Sequence, residues 1–164
     1  MRIKAVFLPL FTAWAATLAA PAQSCPDLSP SWREEVQLRI NALRSEGESC
    51  ARPTATRLQW SSELERLADE QAGWVAQRGL LEHAGRDGAP LGERARTAGY
   101  RYARVAENLA WGTASLDETL ALWRRSEGHC RNLFDERVTE LALVCRRGPD
   151  GPWWVMTLGR PQSR

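Results

Sequence analysis

Two histidines, His83 and His129, are all the imidazole in this chain of 164 residues. His83 stands in "LLEHAG" and His129 in "WRRSEGHC". Neutral imidazole suits zinc or copper, and a carboxylate can complete the shell or hold a ring from behind. Glu107, in "AENLA", and Glu127, just before Gly128 and His129, are the acids available for either task. Spacing alone does not build the site, because no HExxH-type pattern sets two ligands on one helical face. A nucleophile is harder to find. Ser126 lies near His129, but there is no GxSxG elbow and no third member of a triad. Asn108, beside Glu107, reads as a polar residue satisfying backbone groups in a buried extended segment.

The first 22 residues read as an export leader. Arg2 and Lys4 precede the apolar run "AVFLPLFTAWAATLAA", and Ala20-Pro21-Ala22 has the small-x-small form of a signal-peptidase site. A single domain is expected over residues 23–164, secreted or periplasmic, with no transmembrane anchor after cleavage. The leader holds two basic residues and no acid, so the formal charge of +2 falls to zero without it. Bulk charge therefore excludes a nucleic-acid surface. All four cysteines lie beyond the leader, and an even count in an exported chain implies disulfides rather than a thiol nucleophile at Cys130. Three pairings are possible. The local one, Cys25–Cys50 and Cys130–Cys145, is the simplest.

The elements that must position these residues follow from periodicity. Trp32, Val36, Ile40 and Leu43 make one helical stripe. A second helix carries Leu64, Leu67, Ala68, Trp74 and Val75 inward, opens on Ser62 with Glu65 at capping-box spacing, and stops at Gly79. A short third helix turns Leu91, Arg94, Ala95 and Ala98 one way. "RYARVAENLAWG" is extended. A fourth helix opens on Ser115 with Glu118, buries Leu116, Leu120 and Trp123, and is left sharply at Gly128 so that His129 can turn inward. Two strands joined at Gly148-Pro149-Asp150-Gly151 close the chain. The stripe tryptophans Trp32, Trp74 and Trp123 are expected in the core. Helices followed by a hairpin give the α+β class.

Taken together, "LQWSSELERLADEQAGWVAQRGLLEHAGRDG", "GERARTAGY", "AENLAWG", "LWRRSEGHCRNLF" and "VTELALVC…WWVMTLG" resemble the bacterial branch of the CAP superfamily. That superfamily contains the cysteine-rich secretory proteins, antigen 5 and the pathogenesis-related class one proteins. The resemblance implies a three-layer α-β-α sandwich around a central antiparallel sheet. It implies a cleft in which His83, Glu107 and His129 match three members of the family's His/Glu tetrad. The fourth, three positions after Trp123, is Ser126 here, with Glu127 adjacent. It also implies a monomeric binding protein for a divalent metal such as zinc on His83 and His129, or for a lipid or protein, with no cofactor required. Two alternatives stand beside that reading. One is a metal-dependent hydrolase using His83, His129 and Glu107. The other is an envelope structural factor with a vestigial cleft.

Overall fold

A computed structural model describes residues 25–163 apart from 49, 51 and 55, and the expected leader lies outside them. Helix α1 (Pro30–Glu46) starts where sequence chemistry allows. The Ser29 hydroxyl accepts from the Trp32 N–H, and Pro30 occupies the first turn, where its missing donor costs nothing. The strands are β1 (Gln59–Trp60), β2 (Tyr102–Trp111), β3 (Glu140–Gly148) and β4 (Gly151–Pro161). They form one sheet in the order β1-β3-β4-β2. The three long strands are antiparallel, and β1 adds a two-residue parallel edge on β3. The register pairs Gly148 with Gly151, so Pro149 and Asp150 form the turn that the sequence marks.

Side chains alternate across this sheet and select two helical layers. Leu141, Leu143, Trp154, Met156 and Leu158 pack with Trp32, Val36 and Ile40 of α1. Trp123 of α4 (Leu116–Arg125) and Leu133 of α5 (Glu127–Leu133) join that layer. On the other face, Val144, Trp153 and Val155 meet Ala68, Ala72 and Val75 of α2 (Ser62–Arg78). Leu64 and Leu67 of α2 meet Ala95 of α3 (Leu91–Thr97) against Ala142. The result is the three-layer sandwich. Because β4 runs through the middle, Pro152 to Gly159 is buried without a break.

Several expectations shift. The α2 cap is Ser61, whose hydroxyl accepts from the Leu64 N–H, and Glu65 is instead drawn to Arg33 and the Trp60 indole. Trp32 and Trp123 are core, but Trp74 is only half-buried, with Arg78 and Arg86 lying 5.1 and 4.8 Å from its ring centre. The inward stripe of α1 ends on partly buried Leu43, which packs against the core, with Arg44 beside it. Arg44 is fully buried and donates to the carbonyls of Leu133, Asp135 and Thr56, and burial lowers its pKa to about 10. Beside it, Asn41 both donates to and accepts from the backbone of Leu58.

The disulfides are Cys25–Cys145 and Cys50–Cys130, not the local pairs. The reason is helix length. Cys25 and Cys50 lie beyond opposite ends of α1, whose 17 residues span about 26 Å at 1.5 Å per residue. A disulfide bridges Cα atoms only about 4.4–6.8 Å apart. The observed Cα separations are 5.2 Å for Cys25–Cys145 and 6.1 Å for Cys50–Cys130. The first bridge pins the lead-in of α1 to β3, and the second pins the loop after α1 to α5.

Candidate functional site

His83 lies in the segment after α2, which Gly79 ends in the left-handed conformation at φ 65°. Buried Gln71 holds that segment from beneath, its Nε2 donating to the carbonyls of Glu82 at 2.7 Å and Ala84 at 3.4 Å. Glu107 projects from β2 with its side chain 1% exposed. His83 Nδ1 sits 2.9 Å from Glu107 Oε1. A carboxylate only accepts, so Nδ1 carries the proton and Nε2 is left to face outward.

Burying a carboxylate requires compensation. Arg94 of α3 provides it, with Nη2 at 3.0 Å from both Glu107 oxygens and 2.9 Å from the His83 carbonyl. Gly85 makes room for this guanidinium, since a Cβ there would lie 2.2 Å from Arg94 Cδ. Sequence reasoning places Arg94 on the inward side of α3 but assigns it no role. The signal available was a cation on an otherwise apolar stripe.

Asn108, the next residue of β2, is fully buried. Its Nδ2 donates to the His129 carbonyl at 2.9 Å, and its Oδ1 accepts from Asn132 Nδ2 at 2.9 Å. Asn132 also reaches the Glu107 carbonyl at 3.3 Å. Two amides therefore dock α5 on β2 and fix the height of His129. Asn132 is a positioning residue that sequence reasoning missed. Asn108 does pair with backbone, as expected, but with a different element.

The expected continuous fourth helix breaks at Ser126 (φ −97°, ψ 119°), which closes α4 and opens α5. His129 is thus redirected by a new helix axis, not by an exit at Gly128, which sits inside α5. Glu127 does not join the cluster. Its side chain is exposed and pairs with Arg131 one turn on.

The pKa values of the two histidines are shifted in opposite directions. The hydrogen bond that His83 donates to Glu107 raises the pKa of His83 above its ordinary value. Burial, and then the charge of His83, lowers that of His129. His129 Nδ1 is buried and has no partner among the described residues.

A divalent metal does not fit the donors. Both Glu107 oxygens are engaged by Arg94, and Glu127 points away. Among the described residues, no group of three His, Cys, Asp or Glu side chains is placed to hold an ion. For the zinc expected on His83 and His129, the described residues supply no third ligand, and a fixed cation already answers the buried carboxylate.

Likeness to known proteins agrees with the fold. The model of the cysteine-rich secretory protein family, CAP, matches residues 38–158. An outer surface protein from Borrelia burgdorferi superposes with a TM-score of 0.69 at 17% identity, covering 85% of this chain and 98% of that one. An extracellular SCP-domain protein from Bacillus anthracis gives 0.59 at 19% identity over 82% of this chain. This chain spans only 45% of that protein's length. NaASP2, solved with Zn2+, gives 0.56 at 14% identity, covering 83% of this chain and 84% of its own. No curated protein sequence matches the chain. With the family model spanning most of the sequence and the three-layer sandwich in place, the chain belongs to the cysteine-rich secretory protein (CAP) family.

Proposed function

We propose that this chain is an exported CAP-domain binding protein whose cleft at His83, Glu107 and His129 recognises a polar group of an envelope lipid or protein. The observation that carries the reading is the commitment of Glu107. With both oxygens on Arg94 and one also on His83, the carboxylate orients an imidazole and is not free to take a proton from water. What remains for a ligand is a His83 ring, 60% exposed, and a His129 ring whose pKa burial lowers. These are hydrogen-bonding groups whose pKa values are shifted in opposite directions, which suit recognition. Two disulfides, together with the leader read from the sequence, support export to an oxidising compartment. No helix among the described residues is long and apolar enough to cross a membrane.

The test pairs binding with activity on the purified protein. NMR perturbation by anionic phospholipid vesicles or envelope extracts should centre on His83 and His129 and be lost in His83→Ala. Hydrolysis of peptide or ester substrates that needs added zinc and disappears in Glu107→Gln would replace this reading with the hydrolase one.

A further inference from the structure

A cavity of about 320 Å³ opens between α2 and α3. Its lining includes Glu70, Gln71, Trp74, Arg86, Glu93 and Arg94. Three of these residues leave buried polar atoms without a partner among the described residues. Gln71 is 1% exposed, and its Nε2 already serves two carbonyls. Carbonyls accept only, so the amide orientation is settled and the unpaired atom is the acceptor Oε1. Trp74 leaves its indole N–H unpaired, and Arg94 leaves Nε and Nη1. Buried polar groups are almost always paired, so one unpaired acceptor and three unpaired donors on residues that line a single cavity point to a ligand there.

The chemistry of that ligand follows from the lining. Three donors, two of them on a guanidinium, call for a carboxylate. A simple anion would meet Glu70 and Glu93 on the same lining, and a simple cation would leave Arg94 and Trp74 unanswered. The cavity is at the small end of the range for small-molecule sites, which fits a few heavy atoms rather than an acyl chain. We propose that it binds a small zwitterion of the amino-acid class. The carboxylate takes donors from Arg94 and the Trp74 N–H. The ammonium donates to Gln71 Oε1 and lies near Glu70 and Glu93. Arg78 and Arg86 over the Trp74 ring hold the indole in place. Arg94 is shared, facing this ligand through two donors and Glu107 through the third nitrogen, so the cavity borders the histidine cluster without belonging to it.

The experiment follows the Trp74 indole cross-peak of the purified protein during titration with glycine and with Ala-Ala dipeptide. Acetate and methylamine serve as half-ligands. A saturable shift with glycine identifies a free amino acid, a shift with the dipeptide alone identifies a peptide, and either supports the proposal. Acetate and methylamine at equal concentration should leave the peak unmoved. By calorimetry, Trp74→Phe, which keeps the ring and removes the donor, should weaken binding about tenfold. Glu70→Gln combined with Glu93→Gln, both on the surface, should weaken it similarly with the fold intact by circular dichroism. No saturable shift with either zwitterion would mean that ordered water alone satisfies these groups, and would overturn the proposal. So would acetate binding as tightly as glycine, or affinity unchanged in Trp74→Phe.

Discussion

Replacing Glu107 by glutamine keeps the shape of the cluster and removes its charge. The carboxylate is 1% exposed and its partner Arg94 10%, so the pair sits where water cannot screen it. Breaking a buried pair leaves one ion uncompensated and costs about 3–5 kcal/mol. Glutamine still offers one oxygen to Arg94, which puts Glu107→Gln at the low end, about 3 kcal/mol. In a domain of this size that lowers Tm by about 10 °C, at roughly 3 °C per kcal/mol. Arg94→Met should cost at least as much, because it strands the carboxylate. The double variant should cost clearly less than the sum, since both singles remove the same interaction. Urea unfolding of the four proteins near neutral pH measures this cycle. In the same variant the His83 titration, followed by NMR, should move down toward its ordinary value, because the Glu107 hydrogen bond is what raises it. Single variants within about 0.5 kcal/mol of wild type, with the His83 titration unmoved, would refute the claim of a buried charged pair.

Mapping under non-reducing conditions should find Cys25 joined to Cys145 and Cys50 to Cys130. Loops of 120 and 80 residues imply about 4–5 kcal/mol of stabilisation each in the chain-entropy model, which serine variants would lose. Trp123→Ala should cost about 3–5 kcal/mol, since the ring is fully buried and its Nε1 donates to the Leu109 carbonyl, whereas half-buried Trp74→Ala should cost under about 2 kcal/mol by chemical denaturation. The histidines give stability-versus-pH curves of opposite sign. His83, with a raised folded pKa, contributes stability that is complete below about pH 6.5 and is lost as pH rises through its folded value. His129, with a lowered one, contributes stability present above about pH 6.5 and lost as pH falls through its folded value. His129→Gln should therefore flatten the acid limb, while His83→Gln steepens it.

Periodicity made the helices and the final hairpin legible because apolar stripes of period 3.6 and 2 report burial directly. The turn at Pro149 and Asp150 was legible from its residue types. The break at Ser126 was not, because "LWRRSEGHC" keeps its polar face through the break and carries no proline. Arg44, Asn41 and Asn132 were hidden for a related reason: a polar residue that caps backbone from another element looks, in sequence, like one facing water. Cysteine order alone favoured the local pairing, and only the length of α1 argued against it. In the site, His83 and Glu107 were named from the sequence and meet. Arg94 was named only as a helix-face residue, yet it pairs with both oxygens of the buried carboxylate at the centre of the cluster.

The central claim is that a guanidinium, not a metal ion, answers the buried Glu107, and calorimetric titration of the purified protein with zinc near neutral pH tests it most directly. The account predicts no saturable one-to-one binding that depends on His83 and His129. One-to-one zinc binding abolished both by His83→Ala and by His129→Ala would contradict it.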